Sequence, residues 1–194
     1  MGHGKYIAPP EGQYQVAAGE VLNLQFVVLP GESRDIDVSI DLIGPGAEAH
    51  IKALYLCGAD EKVTFHIVMH HRAPGCHSTQ TIKGIAGGTA QVQFHGVIVV
   101  APDAQQTEAY QENHNIVLTD QAKVETRPQL EIYADDVKCS HGATVGQLNA
   151  DELFYMRSRG IPEAEAKTLQ MLSFLSPVIP EGREEEIESA VRSL

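Results

Sequence analysis

Apolar and polar residues alternate with a period of two along most of the first two-thirds of the chain. Leu22, Leu24, Phe26 and Val28 form one run, and Ile36, Val38, Ile40 and Leu42 form the next, set against Asp35, Asp37, Ser39 and Asp41. Val63, Phe65, Ile67 and Met69 follow, then Val92, Phe94, Ile98 and Val100. Alternation of this kind marks strands with one buried and one wet face. Turn-forming clusters separate the runs: PGES at 30, GPGA at 44, GADE at 58, APGC at 73, GGTA at 87, PDAQ at 102, TDQA at 119 and ADD at 134. Their spacings are 14, 14, 15, 14, 15, 17 and 15 residues. Gly frees the backbone and Pro fixes φ where each corner needs it. The pattern predicts an all-β region over residues 13–147.

A steady interval of strand plus turn is the signature of a solenoid, whose repeats bury their apolar faces only by stacking on one another. Two strands per coil predict a flattened β-helix of about four or five coils. An antiparallel meander or sandwich is the alternative; its turn signals recur about every 8 to 12 residues, closer than here. After residue 148 the pattern changes. Asn149 or Asp151 is placed to cap a helix through ELFYMRSR, Gly160 suits its end, and Pro162 fits the first turn of a second helix. In that second helix Ala166, Leu169, Leu172 and Phe174 or Leu175 approximate an apolar stripe, which Pro177 ends. EGREEEIESAVRSL then predicts a third helix, whose acidic start reads as a solvated face. Two segments are expected: a β-helix core over 1–148 and a helical segment over 149–194.

Composition narrows the classes of partner. Lys and Arg number 14 against 26 Asp and Glu, a formal charge of -12, so the clustered basic residues that attract phosphate backbones are missing. Neither nucleic acid nor a membrane is expected as partner. The longest obvious apolar run, VIVVA, is far short of the roughly 20 residues that cross a bilayer. MGHGKYIAPPEGQ lacks the apolar core and cleavage site of a secretory signal, which makes the cytoplasm the expected location. Cys57, Cys76 and Cys139 form neither a CxxC pair nor a disulfide framework, so free thiols are expected.

Two places carry candidate chemistry. Cys139 and His141, in YADDVKCSHGATVG, share one face of a strand with Val137, Ala143 and Val145. Two soft or borderline ligands suit iron or zinc, but a closed site needs four. A nucleophile and base is disfavoured, because side chains about 6.6 Å apart along a strand miss hydrogen-bond reach. A buried thiol beside a hydrogen-bonded imidazole in a core is the plain alternative. The second place, HIVMHHRAPGCH, gathers His66, His70, His71, His77 and Cys76 around a turn and raises a β-rich metal-dependent enzyme as a rival reading. Against it, His66 and His70 fall on the wet phase of the alternation. The HxH followed by Glu of a cupin-type metal site is absent, as are GxxxxGK[ST], GxSxG and HExxH, so no nucleotide site of its own is expected.

The run from IKGIAGGTAQVQFHGV through YADDVKCSHGATVG to LFYMRSRGI, residues 82–161, resembles the core of the SufB/SufD family of iron–sulfur cluster assembly proteins, and HHRAPGCHSTQTIKG extends the likeness upstream. The resemblance implies a right-handed parallel β-helix followed by a helical segment. It implies a non-enzymatic scaffold that dimerises through its β-helix end, docks a SufC-type ATPase through its C-terminal helices, and holds an iron–sulfur cluster transiently across an interface. By the same resemblance Phe154, Tyr155, Arg157 and Arg159 lie in the ATPase-docking segment. Where the SufB-like branch carries a cysteine after a turn aspartate, the matching turn TDQAKVETRP has Ala122, whereas DDVKCSHGAT has the SufD-like form. The chain thus reads as a short SufD-like form that pairs with a SufB-like chain or a second copy of itself. The likeness implies that His141 stands at that interface as an iron ligand, with Cys139 beside it. A pure interaction protein whose Cys139 and His141 never meet metal is the remaining alternative.

Overall fold

The computed structural model describes the backbone of residues 4–7 and all of residues 11–194. The expectation about a secretory signal, drawn from residues 1–13, falls largely outside them. Among the described residues, eleven strands run in chain order: β1 Gly4–Ile7, β2 Gly12–Val16, β3 Val21–Val28, β4 Arg34–Leu42, β5 Glu48–Cys57, β6 Lys62–His71, β7 His77–Ala86, β8 Gln91–Val100, β9 Glu108–Val117, β10 Lys123–Ile132 and β11 Lys138–Gly146. The odd strands form one parallel sheet in the order β1-β3-β5-β7-β9-β11, and the even strands a second in the order β10-β8-β6-β4-β2. The chain therefore alternates between two facing sheets and advances one strand in each per coil, giving a β-solenoid of about five turns. Val21 stands beside Glu48, Glu48 beside His77, His77 beside Glu108 and Glu108 beside Lys138. That step of 27 to 31 residues spans two of the turn-to-turn intervals read from the sequence.

Stacking explains why the alternation folds this way. Ile36, Phe65 and Phe94 are in register, as are Ile40, Met69 and Ile98, and all six are buried inside. At the corners, Gly46 and Gly75 both take φ 67°, a left-handed conformation that glycine adopts without steric cost. Their N–H groups donate to Pro74 and Gln105 of the following corners, at 3.2 and 2.8 Å. Glu61, 4% exposed, ties corners together by accepting from the backbone of Gly31, Gly58 and Ala59. Burial alone raises its carboxyl pKa, but those backbone bonds outweigh it and hold the group below its ordinary value.

Three α-helices follow: α1 Ala150–Ser158, α2 Glu163–Leu175 and α3 Glu184–Arg192, with a 3-10 turn at Ser176–Val178. Asn149 caps α1 by accepting from the N–H groups of Asp151 and Glu152, and Pro162 is the N-cap of α2. Pro177 sits within the 3-10 turn that prolongs α2 rather than at a clean stop. The apolar face of α2 matches the predicted stripe at Ala166 and Leu175, which are buried, but between them Met171 is buried while Leu169 is 41% exposed. Met171, Leu175, Val178, Ile187 and Val191 pack on Val27, Leu54, Leu56, Ile85 and Ile116, on the outer face of the odd-strand sheet. This second core explains why β3 and β5 bury consecutive residues instead of alternating ones. No helix among the described residues is long and apolar enough to cross a membrane.

Candidate functional site at the open coil end

The stack runs out at β10 and β11, which have a strand neighbour in their sheet on one side only. Pro128 lies within β10, and proline, having no N–H to donate, is at home in an edge strand. In β11 the inward positions are Cys139, His141, Ala143 and Val145, paired in register with Ala109, Gln111, Asn113 and Asn115 of β9. Those four partners are buried. Above them the cover thins: Cys139 is half-buried against the core, while His141, Ala143 and Val145 are exposed. Cys139 and His141 thus share a face, as the alternation requires. The plain alternative of a satisfied core histidine does not describe His141, whose ring engages no hydrogen bond or ion pair among the described residues. Burial pushes the Cys139 thiol above its ordinary range, partly offset by a bond from the Ala109 backbone. It is a thiol until something displaces its proton.

Beneath this end the solenoid interior turns polar. One inward column runs Leu24, Ile51, Gln80, Gln111 and His141, and a neighbouring one Phe26, Ala53, Ile82, Asn113 and Ala143. Gln111 Nε2 donates to Gln80 Oε1 at 3.0 Å. Asn115 accepts from Tyr55 Oη at 2.7 Å, and its Nδ2 donates to Asn113 Oδ1 and the Thr144 carbonyl. Residues 108–117, EAYQENHNIV, carry amides on the inward phase, a signal the search for alternating apolar residues passes over. All three cysteines are free.

The histidines between 66 and 77 are dispersed. His66 and His70 are half-buried on the outer face of the even-strand sheet, where His66 stacks on His95 with ring centroids 5.1 Å apart. His71 points inward, is fully buried, and shares a 2.9 Å hydrogen bond with Ser78 Oγ. Burial, then the like charges of His77 and His70, hold its pKa down to about 4. His77 stands on the outer face of the other sheet, between His50 and Tyr110, and Cys76 is buried. No group of three or more metal-binding side chains converges among the described residues.

The third element is α1, which buries none of its residues. Phe154 is 74% and Tyr155 59% exposed. Arg159 lies over the Tyr155 ring at 5.0 Å, and Arg157 pairs with Glu163 at 3.3 Å. A groove of about 880 Å³ runs between this helix, α2 and the β9–β11 edge, lined by Ile116, Thr144, Leu148, Tyr155, Met156 and Phe174 among others.

The sequence profile for the SUF system FeS cluster assembly SufBD core domain matches residues 13–174. The chain is 36% identical over 155 residues to the iron–sulfur cluster assembly protein SufD of Escherichia coli, covering 80% of this chain and 37% of that protein. It is 43% identical over 113 residues to an iron–sulfur cluster assembly SufBD family protein of Synechocystis, covering 58% of this chain and 24% of the relative. The chloroplastic protein ABCI7 of Arabidopsis thaliana is 35% identical over 160 residues, covering 81% and 33%. The chain spans well under half the length of each of these relatives.

Proposed function

Because the chain belongs to the SufB/SufD family of iron–sulfur cluster assembly proteins, we propose that it is a SufD-like, non-enzymatic scaffold that pairs through its last coil and holds nascent cluster at the seam. One observation carries this reading: His141 occupies an inward-facing register position yet is exposed, because no further coil covers it. A strand edge with an apolar face and no neighbour favours pairing with a second chain. Two ligands, Cys139 and His141, are too few for an iron–sulfur cluster, and an interface supplies the remainder from a SufB-like chain or a second copy. The cluster is cargo here, built and passed on.

The exposed aromatics of α1 support the other half of the proposal. Phe154 and Tyr155, flanked by Arg157 and Arg159, form a patch of the kind enriched at protein interfaces, and we assign it to a SufC-type ATPase that supplies the nucleotide chemistry. The free thiols accord with work in a reducing, cytoplasmic setting.

The test is anaerobic reconstitution with ferrous iron and sulfide of the chain co-purified with its ATPase and SufB-like partner. A visible chromophore that is lost in His141→Ala, while the three chains stay together, is the expected result. Chromophore retained in His141→Ala but lost when His66, His70, His71 and His77 are changed together overturns it for a metal site elsewhere. An assembly that never develops colour leaves a purely structural subunit.

A further inference from the structure

We infer that Gln111 is the positioning residue for His141: its side-chain oxygen accepts one imidazole N–H and so turns the other ring nitrogen outward to the seam. The inference rests on the reading of His141 as an iron ligand. The two residues are register partners at inward positions of β9 and β11. Adjacent strands lie about 4.8 Å apart, so their side chains stand one above the other.

The amide of Gln111 is held in place before any partner arrives. Its Nε2 donates to Gln80 Oε1, from the same inward position one coil earlier. Across the interior, Gly96 leaves the space the amide fills, for a Cβ there would collide with Nε2 and Cδ of Gln111 and with Cζ of Phe94. With the nitrogen committed, the oxygen is left over. Gln111 is 1% exposed and its Oε1 has no partner among the described residues.

A buried carbonyl without a donor is an unstable arrangement unless something completes it. Asn115 cannot, because Asn113, Tyr55 and Thr144 already engage its amide; Ala143 has no polar atom in its side chain, and the unpartnered donors nearby, Gln80 Nε2 and Asn113 Nδ2, lie out of hydrogen-bond reach of the Gln111 oxygen. His141 has the matching need. While the coil end is open, water serves its ring; once a second chain covers the end, the imidazole and the Gln111 oxygen are left to satisfy each other. Metal-binding histidines donate their second ring N–H to such an acceptor, which fixes tautomer and ring orientation. Gln111, buried behind His141, acts through it and does not touch the cargo.

The variant Gln111→Met keeps the side-chain length and removes the acceptor, with circular dichroism to check the fold. Two-bond ¹H–¹⁵N correlation spectra of the imidazoles are recorded at a pH where the rings are neutral, with the coil end covered by the partner chain. His141 is assigned by its disappearance in His141→Ala. The wild type is expected to show a single His141 tautomer, and Gln111→Met a mixture of the two, since nothing behind the ring then selects one nitrogen as donor. The iron concentration giving half the chromophore is expected to rise about tenfold. If Gln111→Met does not fold, Gln80→Met frees the Gln111 amide to rotate and is read by the same spectra. Identical His141 correlations in wild type and variant overturn the inference. Chromophore that survives His141→Ala overturns the iron reading instead, and the tautomer comparison then still decides the role of Gln111.

Discussion

Strands β6 and β10 belong to the same sheet, both pair with β8, and both alternate in polarity, yet only β6 is part of a finished core. In β6 the inward residues Val63, Phe65, Ile67 and Met69 are at most 1% exposed. In β10 the corresponding residues of the register, Val124, Thr126, Pro128 and Leu130, are only half-buried. Strand β11 goes further, leaving His141, Ala143 and Val145 exposed above buried partners. A strand's alternation declares which face is to be covered, whereas the number of neighbours decides whether it is. The difference separates a core closed on both sides from a coil left open on one, the coil proposed as the seam with another chain.

The sharpest way to break this comparison is to cut equivalent side chains in the two regions. Phe65→Ala removes a fully buried ring with neighbours on both sides in its sheet, and a loss of about 3–5 kcal/mol is expected. Leu130→Ala, in the coil that lacks a neighbour, is expected to cost about 1 kcal/mol, because transfer from water is incomplete and no closed cavity forms. Urea denaturation of the two variants measures both values. Equal losses would mean that the last coil is covered in the isolated chain.

How far this division was legible in the sequence depends on what each residue's neighbours contribute. The even-strand runs were readable because Ile36 to Leu42 and Val63 to Met69 carry their own two-residue period, and the corner spacing gave the coil length. The face shared by Cys139 and His141 was readable for the same reason. Its open edge was readable only from the place of residues 137–145 as the last strand of the stack, since by their own pattern they alternate like any covered strand. The polar interior escaped because Gln80, Gln111, Asn113 and Asn115 look wet in isolation; their burial comes from stacking on Ile51 and Ile82 and from hydrogen bonds between coils, Tyr55 to Asn115 among them. In α2 the stripe was right at its ends, Ala166 and Leu175, and wrong between them for a related reason: the outer sheet face under it takes Met171 where the periodicity alone pointed to Leu169.

A second, smaller effect tests the corners of the closed region. Glu61→Gln removes the charge that receives three backbone N–H groups, and about 2 kcal/mol of stability is expected to go with it near neutral pH. The folded-state pKa of Glu61 is depressed, so its contribution is fully present above the unfolded value of about 4.3 and is lost as pH falls through the folded value. The gap between wild type and Glu61→Gln should therefore close on acidification below about pH 4. Thermal midpoints across an acid series measure it, and a constant gap would show that shape rather than charge makes the contribution.

The smallest expected change in folding stability belongs to the open end, and there it decides most. Val145 is 47% exposed at an inward position of β11, so Val145→Lys puts an ammonium where water already reaches and removes little packed surface. Its effect on the isolated chain is expected to stay within about 0.5 kcal/mol, the range of ordinary surface substitutions. In an assembled seam the same lysine would lose its water against an apolar face, and an unpaired buried charge is costly. Association is therefore expected to fall steeply while the denaturation curve of the monomer stays put. Sedimentation or light scattering beside urea denaturation separates the two effects. If Val145→Lys destabilised the monomer as Phe65→Ala does, the last coil would have to be counted with the closed core; if association were untouched, the partner would have to meet this chain at some other face.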